Sequence, residues 1–545
     1  MVVVKIEKSR VKELTNLDDI SDIVEVLGGD IKREDEDSWD LEFYPDRPDL
    51  YSLPGLVLNI KQILYSEPII RKIENGNIKI IVDKEVLNVR PYIGGAVIRN
   101  VKIDDKAIKE IMDMQEKYHS SLGREREKIA IGIHDLANVE PPFYYKAVYP
   151  DEIKFIPLGM DKEMDLKDIL EMHEKGIKYS YILKGKEKYP IILDSKNRVL
   201  SFPPIINGKL TELTEKTKNI FIDVTGTDLF TVINAVNIMS YIIPEYGGYV
   251  ESVEIIHPKY NTTMPNFDRE KFDVEYQYIK NILGNIKNED IETGLKKMGY
   301  LYSIEGNNYN ILIPPYRIDI MHKIDIVEDI AKIYGYNRIN RKIPEIYSIG
   351  KENRVEIYKN KMRMIMVGLG FIETKNLTLT SIDKNFTKFC LKPENYMKII
   401  NPVSEEQSIV RTWLLPGIME ILEYNKRRPV PQKIFEIGEI YNMEESVDLA
   451  GAIISSNASF TEIKGIVSKI MESINVKWQV EESYLPFFID GRQAWVKVDG
   501  KNSGFFGEMH PKIIENFGLG NPIAAFELNL KYVFKDIFAD RIEEI

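Results

Sequence analysis

The chain has 545 residues, 44% apolar and 29% charged, with a net charge of −12, six histidines and a single cysteine, Cys390. That length predicts roughly three to five domains, and the lack of any apolar run of about 18 residues excludes a membrane-spanning helix. One thiol excludes an internal disulfide framework and a structural zinc site, and the acidic balance excludes a free-standing nucleic-acid binder, though not a subunit of a complex.

The first ten residues, MVVVKIEKSR, are too soon charged for a signal peptide, so a reducing cytosolic compartment is expected. Residues 1 to about 80 read as a small α/β domain. Residues 2–6 are expected to form a strand, and 39–44 alternate as a second one. Asp46 and Pro48 make a turn before an apolar helix from Leu53, which Asp49 or Ser52 can cap.

Residues about 85 to 260 form the largest predicted domain, α/β in pattern. It holds a strand at 93–98, a helix at about 104–119, a strand at 129–133, and a strand at 220–224 that exits through Thr225-Gly226-Thr227-Asp228. His134 beside Asp135 has no nucleophile motif with it and reads as a turn.

Residues about 265 to 345 read as a helical, winged-helix-like unit. Helices are expected at 269–283 and 290–298, with a hairpin turning at Gly306-Asn307-Asn308. The stretch PPYRIDIMHKIDIVEDIAKIYGY, Pro314 to Tyr336, follows. Its helix is expected over 324–334, with Asp325 as cap, Glu328 three residues on as in a capping box, and Gly335 at the C-terminal end. Asp325, Glu328 and Asp329 fall at i, i+3 and i+4 on one face, and Asp319 can fold back toward them. Four hard oxygen donors suit Mg²⁺ or Ca²⁺. A plainer reading also stands: a capped helix whose acidic first turn complements its dipole.

Residues about 350 to 545 predict an antiparallel α+β sheet domain. A helix at 354–368 precedes a strand at 376–380, and further strands include Phe435–Gly438 and residues 524–530. Arg411 is present but has no visible partner. Lys426-Arg427-Arg428 is the clearest basic cluster, suited either to a nucleic-acid backbone or to a solvated helix end.

Several of these segments together resemble the β-subunit of phenylalanine–tRNA ligase in its shorter archaeal and eukaryotic form. They are RPDL-x-S at Arg47–Ser52, SLGR-x-R at Ser121–Arg126 with AIG-x-HDL at Ala130–Leu136, SFPPIIN at Ser201–Asn207, and YR-x-D followed by D-x-x-E-D-x-x-x-x-YG-Y at Tyr316–Tyr336. The resemblance implies a multidomain α+β chain: a small N-terminal α/β domain (1–80), an editing domain that deacylates mischarged tRNA (85–260), a magnesium-ligand domain (265–345) and a catalytically inert module of degenerate class II synthetase fold (350–545). It implies an α₂β₂ heterotetramer with a catalytic alpha subunit, tRNA(Phe) as a partner, ATP as a substrate of the complex, and Mg²⁺ on Asp319, Asp325, Glu328 and Asp329 shared with that subunit. An editing pocket must read the one hydroxyl that separates tyrosine from phenylalanine. Asp223 and Thr225, alternating on one strand end, and Asn207 are the candidates. Each also reads as an ordinary strand-end or turn residue, and Gly208 stands where the family has serine. No glycine–arginine junction for ATP is present, so no residue here is assigned to aminoacylation. Two rival readings are a metal-binding scaffold and an autonomous deacylase of mischarged tRNA.

Overall fold

Val4 and Ile6 are buried along the first strand, Val2–Glu7, while Val3, Lys5 and Glu7 face outward; this strict alternation is that of a sheet packed on one side. In the computed structural model, which describes residues 2–534 and 537, the strand pairs antiparallel with Ser38–Phe43, and Asp30–Glu34 lies beyond it. Ser52 caps helix Leu53–Tyr65, its hydroxyl accepting from the Gly55 N–H at 3.3 Å. Asp49 does not cap: it is buried against Arg47 at 2.8 Å.

The chain divides into two units, Met1–Ile343 and Pro344–Ile545. In the first, a ten-stranded mixed sheet runs Ile206–Asn207, Val199–Phe202, Tyr189–Leu193, Phe143–Val148, Ile73–Val82, Tyr249–His257, Tyr92–Arg99, Asn219–Gly226 and Ile129–Asp135, with Tyr260–Met264 branching off 249–257. Strand 73–82 is parallel to both neighbours and the other pairings are antiparallel. Strands 219–226 and 129–135 are buried almost throughout, which is why they read as unbroken apolar runs rather than alternating ones. The three N-terminal segments predicted from the sequence do not pack around separate centres. One hydrophobic core runs from Val4 through Ile222 to Ile330, with a satellite around Phe155, Ile169 and Phe202.

Residues 271–275, expected to be helical, form a strand, and the helix begins only at Tyr276. Phe272 and Val274 alternate with charged residues, and the segment pairs along its length with Asn308–Leu312. The cross-strand ladder outweighs the local helical pattern. Helices Asn288–Lys297 and Lys323–Tyr334 approach closely at Gly294, where a Cβ would stand 3.1 Å from Ile330 Cα.

The C-terminal unit is built on a seven-stranded sheet: Ile372–Glu373, Gln432–Tyr441, Glu445–Ile454, Ile523–Asn529, Lys501–Met509, Phe488–Val498 and Gln479–Glu482. All pairings are antiparallel except 372–373 with 432–441. Helices Arg354–Gly368 and Phe460–Ser473 share one apolar cluster with this sheet, and helix Leu415–Tyr424 shares a second. The expected strand at 376–380 shrinks to Leu379–Thr380, because Asn376 turns inward to donate to Glu436 at 2.7 Å. Among the described residues no helix is long and apolar enough to cross a membrane.

Candidate functional site

Helix Asp105–Ser120, capped by Asp104, carries Gln115 and His119 one turn apart, and both line a cavity against strand 129–135. Gln115 Nε2 donates to the Ile131 carbonyl at 2.6 Å, and the Ile131 N–H donates to His119 Nε2 at 2.8 Å. Because Nε2 accepts, the proton of the neutral imidazole sits on Nδ1. Burial pushes this imidazole down to about 4, with Glu116 opposing the shift. His119 is therefore neutral at physiological pH, a hydrogen-bond donor and not a base.

Arg126 closes another wall. Its Nη1 donates to the Ile205 carbonyl at 2.7 Å and its Nη2 to Glu116 at 2.8 Å, tying the Ser121–Arg126 turn to the Pro203–Ile206 loop. Four buried atoms on residues lining this cavity, Gln115 Oε1, His119 Nδ1, Arg126 Nε and Ser201 Oγ, have no hydrogen-bond partner among the described residues. An unsatisfied buried polar group costs about 1–3 kcal/mol, so four around one space point to a polar ligand.

Asn207 and Asp223 also line the cavity. Thr225 does not. It lies on the same face of the strand as Asp223, but its hydroxyl accepts from Arg90 Nε at 3.0 Å and it is fully buried there. His134 corrects the turn assignment: it is a fully buried strand residue, with Nε2 2.6 Å from Asp223 Oδ2 and Nδ1 2.7 Å from Thr211 Oγ1. Asp135 makes the turn, accepting from the Ala137 N–H at 2.8 Å and the Thr217 hydroxyl at 2.6 Å. Sequence reasoning missed Gln115 and His119 as cavity components, and His134 as the partner of Asp223. The i, i+4 spacing of the first two was the only available signal.

One consequence is measurable. His119 titrates near 4 in the folded chain against 6.5 as its ordinary value. Unfolding thus takes up a proton between those values, and the stability this histidine contributes is present above about pH 6.5 and lost as pH falls toward 4. The loss is on the order of 3 kcal/mol. It is expected in melts of the wild type across that range and to be flattened in His119→Gln; an equally steep limb in the variant contradicts the assignment.

The Pro314–Tyr336 stretch is arranged differently from expectation. His322, not Asp325, is the N-cap of helix Lys323–Tyr334: its Nδ1 accepts from the Ile324 N–H at 3.2 Å. Asp325 is the third helical residue, reaching back to accept from the His322 N–H at 2.8 Å and the Met321 N–H at 2.9 Å. Arg317, fully buried, grips Asp319 through Nε at 2.8 Å and Nη2 at 2.7 Å, and its Nη1 lies 2.7 Å from Asp329. Nη1 makes no well-directed hydrogen bond, so this last contact is an ion pair. Burial opposes the charge on Asp319, but the Arg317 guanidinium holds it below the usual carboxylate range. Glu328 is exposed, 3.3 Å from Lys332. Among the described residues no three acidic, histidine or cysteine side chains converge to hold a metal. Asp319, Asp325, Glu328 and Asp329 thus stand apart: Arg317 pairs with Asp319 and Asp329, and one oxygen of Asp325 accepts two backbone amides. Lys426, Arg427 and Arg428 are exposed just past helix 415–424. Arg411 is not unpartnered: it donates to Glu436 at 2.6 Å.

Three family models match the chain in order: the B3/4 domain at residues 82–240, the tRNA synthetase B5 domain at 272–336, and the phenylalanyl tRNA synthetase beta chain CLM domain at 339–530. Modules of this kind on a multidomain mixed α/β chain define an aminoacyl-tRNA synthetase subunit. The beta subunit of phenylalanine–tRNA ligase from Archaeoglobus fulgidus is 41% identical over 516 residues, 93% of this chain and 94% of its own. That from Methanosarcina barkeri is 41% identical over 539 residues, 97% and 99%. A crystallised N-terminal fragment of the Pyrococcus horikoshii beta subunit superposes with a TM-score of 0.58 at 34% identity, covering 61% of this chain and all of the fragment. The chain belongs to the phenylalanine–tRNA ligase beta-subunit family.

Proposed function

We propose that the chain is the partner, not the synthetic centre, in the ATP-dependent joining of phenylalanine to tRNA(Phe), working in the cytoplasm within an α₂β₂ assembly with a catalytic alpha subunit. The observation that carries this is the correspondence with relatives over nearly the full length of both chains. In the C-terminal sheet, read as a degenerate class II synthetase platform, Arg411 is committed to Glu436 and is not free to clamp a triphosphate, which supports assigning adenylate chemistry to the alpha subunit. The scaffold and free-deacylase readings have no observation of their own in their favour.

The cavity of the N-terminal unit is proposed as the editing site for tyrosine wrongly esterified to tRNA. Asp223 would accept a hydrogen bond from the phenolic hydroxyl. Phenylalanine would leave that carboxylate desolvated and unpaired, which is how a one-hydroxyl difference becomes a large rejection. Asn207, His119 Nδ1–H and Arg126 Nε–H offer donors toward the ester oxygen, where charge develops in hydrolysis. Thr225 supports the strand end through Arg90. The exposed cluster Lys426, Arg427 and Arg428 is proposed to meet tRNA phosphates.

Magnesium at the inter-subunit site would neutralise opposed carboxylates. Within this chain Asp325 and Glu328 are the acids not gripped by Arg317, whereas Asp319 and Asp329 would first have to leave that arginine. The reading is tested by aminoacylation assays in magnesium with the chain alone, with a cognate alpha subunit, and with the pair carrying Asp325→Ala and Glu328→Ala. Activity is expected only from the pair, with weaker assembly in the variants. Activity of the chain alone, or a folded but inactive pair, overturns it.

A further inference from the structure

Asp223 lies at the middle of strand 219–226, opposite Gly132 on one neighbour and Gly95 on the other. A Cβ at Gly132 would stand 2.1 Å from Asp223 Oδ2 and 2.5 Å from His134 Nε2. The space in which these side chains meet thus exists because residue 132 has no side chain. His134 projects from the same face of strand 129–135, two residues along. It is sandwiched between Asp223 at 2.6 Å and Thr211 at 2.7 Å, and all three residues are buried. A carboxylate only accepts, so Nε2–H donates to Asp223 Oδ2, and Nδ1 is left to accept the Thr211 hydroxyl proton. This commits one oxygen of Asp223. Oδ1 makes no hydrogen bond among the described residues, on a residue that lines the cavity.

We propose that His134, held by Thr211, is a positioning residue that fixes the rotamer of Asp223, so that its second oxygen can read the hydroxyl of a mischarged tyrosyl group. The proposal rests on the editing reading above. His134 touches no substrate: it acts through Asp223, as an orienting partner acts on a neighbouring catalytic or recognition group. Without a donor on Oδ2, a buried carboxylate would rotate toward other donors, and that removes the acceptor that distinguishes the two esters. Selectivity, not only rate, should therefore depend on residue 134.

The test is single-turnover deacylation of tyrosyl-tRNA and phenylalanyl-tRNA by the full chain with its alpha subunit. His134→Leu is expected to lower the tyrosine-to-phenylalanine rate ratio by about tenfold or more, the worth of a hydrogen bond to a charged group. His134→Gln, whose amide N–H can donate to Oδ2, should stay within about threefold of wild type. Adding His134→Leu to Asp223→Asn should produce no further fall, since both act on one contact. An unchanged ratio in folded His134→Leu overturns the proposal, as does an equal fall in the leucine and glutamine variants, which would mean that only packing is involved. If His134→Leu does not fold, Thr211→Val reads the same relay: a lowered ratio supports it and an unchanged ratio overturns it. A wild-type pair that leaves tyrosyl-tRNA intact overturns the editing reading and this proposal together, whereas wild-type editing with an unaltered His134→Leu ratio overturns only the proposal.

Discussion

Replacing Arg317 by methionine is expected to lower the unfolding free energy of the N-terminal unit by about 3–5 kcal/mol, the cost of removing one partner from a buried ion pair. Arg317 is 5% exposed and makes the bidentate contact with Asp319 as well as the 2.7 Å contact with Asp329. The Tyr300 hydroxyl donates to the same Asp329 oxygen at 2.6 Å. A second buried guanidinium, Arg47, lies close enough to raise the cost of Arg317's charge, and is itself matched by Asp49 at 2.8 Å and by Asn59 at 3.0 Å. Methionine preserves most of the apolar stem but leaves two carboxylates facing one another without a cation. Denaturant unfolding followed at Trp39, the tryptophan of this unit, measures the loss. A change below about 1 kcal/mol would mean that the pair is hydrated and that the acids are free for another role.

In the C-terminal unit, neutralising Asp448 should raise stability relative to wild type as pH increases. Glu436, Asp448 and Glu527 project from one face of neighbouring strands, with Gly438 opposite Asp448 and Ala450 opposite both Glu436 and Glu527. A single buried guanidinium, Arg411, serves all three, and it is bonded to Glu436 at 2.6 Å. Glu527 spends both oxygens on the Leu414 and Leu415 N–H groups, at 2.8 and 3.0 Å, where helix 415–424 begins. Burial pushes Glu527 up to about 7, and burial together with the neighbouring Glu527 carboxylate pushes Asp448 well above the carboxylate range. A raised folded-state value means stability that is complete below about pH 4.5 and is lost as pH rises through 7. The Glu527 shift alone corresponds to about 3 kcal/mol. Asp448→Asn keeps a donor toward Glu527 while removing one charge. The stability difference between variant and wild type should therefore grow from pH 5 to pH 8, read by the fluorescence of Trp413, Trp478 and Trp495, which all lie in this unit. A pH-independent difference would place the pair in contact with solvent. His119 moves the N-terminal unit the opposite way, between about pH 4 and 6.5.

Much of the fold was legible because it is written in local periodicity. The alternation of Val2, Val4 and Ile6, the cap at Ser52, the helix ending at Gly335 and the apolar runs at 129–133 and 220–224 each follow from residues within one turn or one strand. The exceptions are instructive. Residues 271–275 left their helical pattern because an edge at 308–312 was available to pair. Asp325 lost the cap to His322, since both can fill it and the chain's entry into the helix selected the earlier residue.

The sequence by itself determined which family the chain resembles and the order of its modules, because those rest on motif spacing; it offered Asn207, Asp223 and Thr225 alike as pocket candidates. Only the tertiary structure decided what each polar side chain does. Strand register set His134 against Asp223, 89 positions away, and turned Thr225 over to Arg90. Burial gave Asp319 and Asp329 to Arg317 instead of leaving four acids free to converge. The physical reason is the same in each case. A charged or polar group removed from water must be matched by whatever lies beside it in space, and that neighbour is fixed by packing, not by distance along the chain.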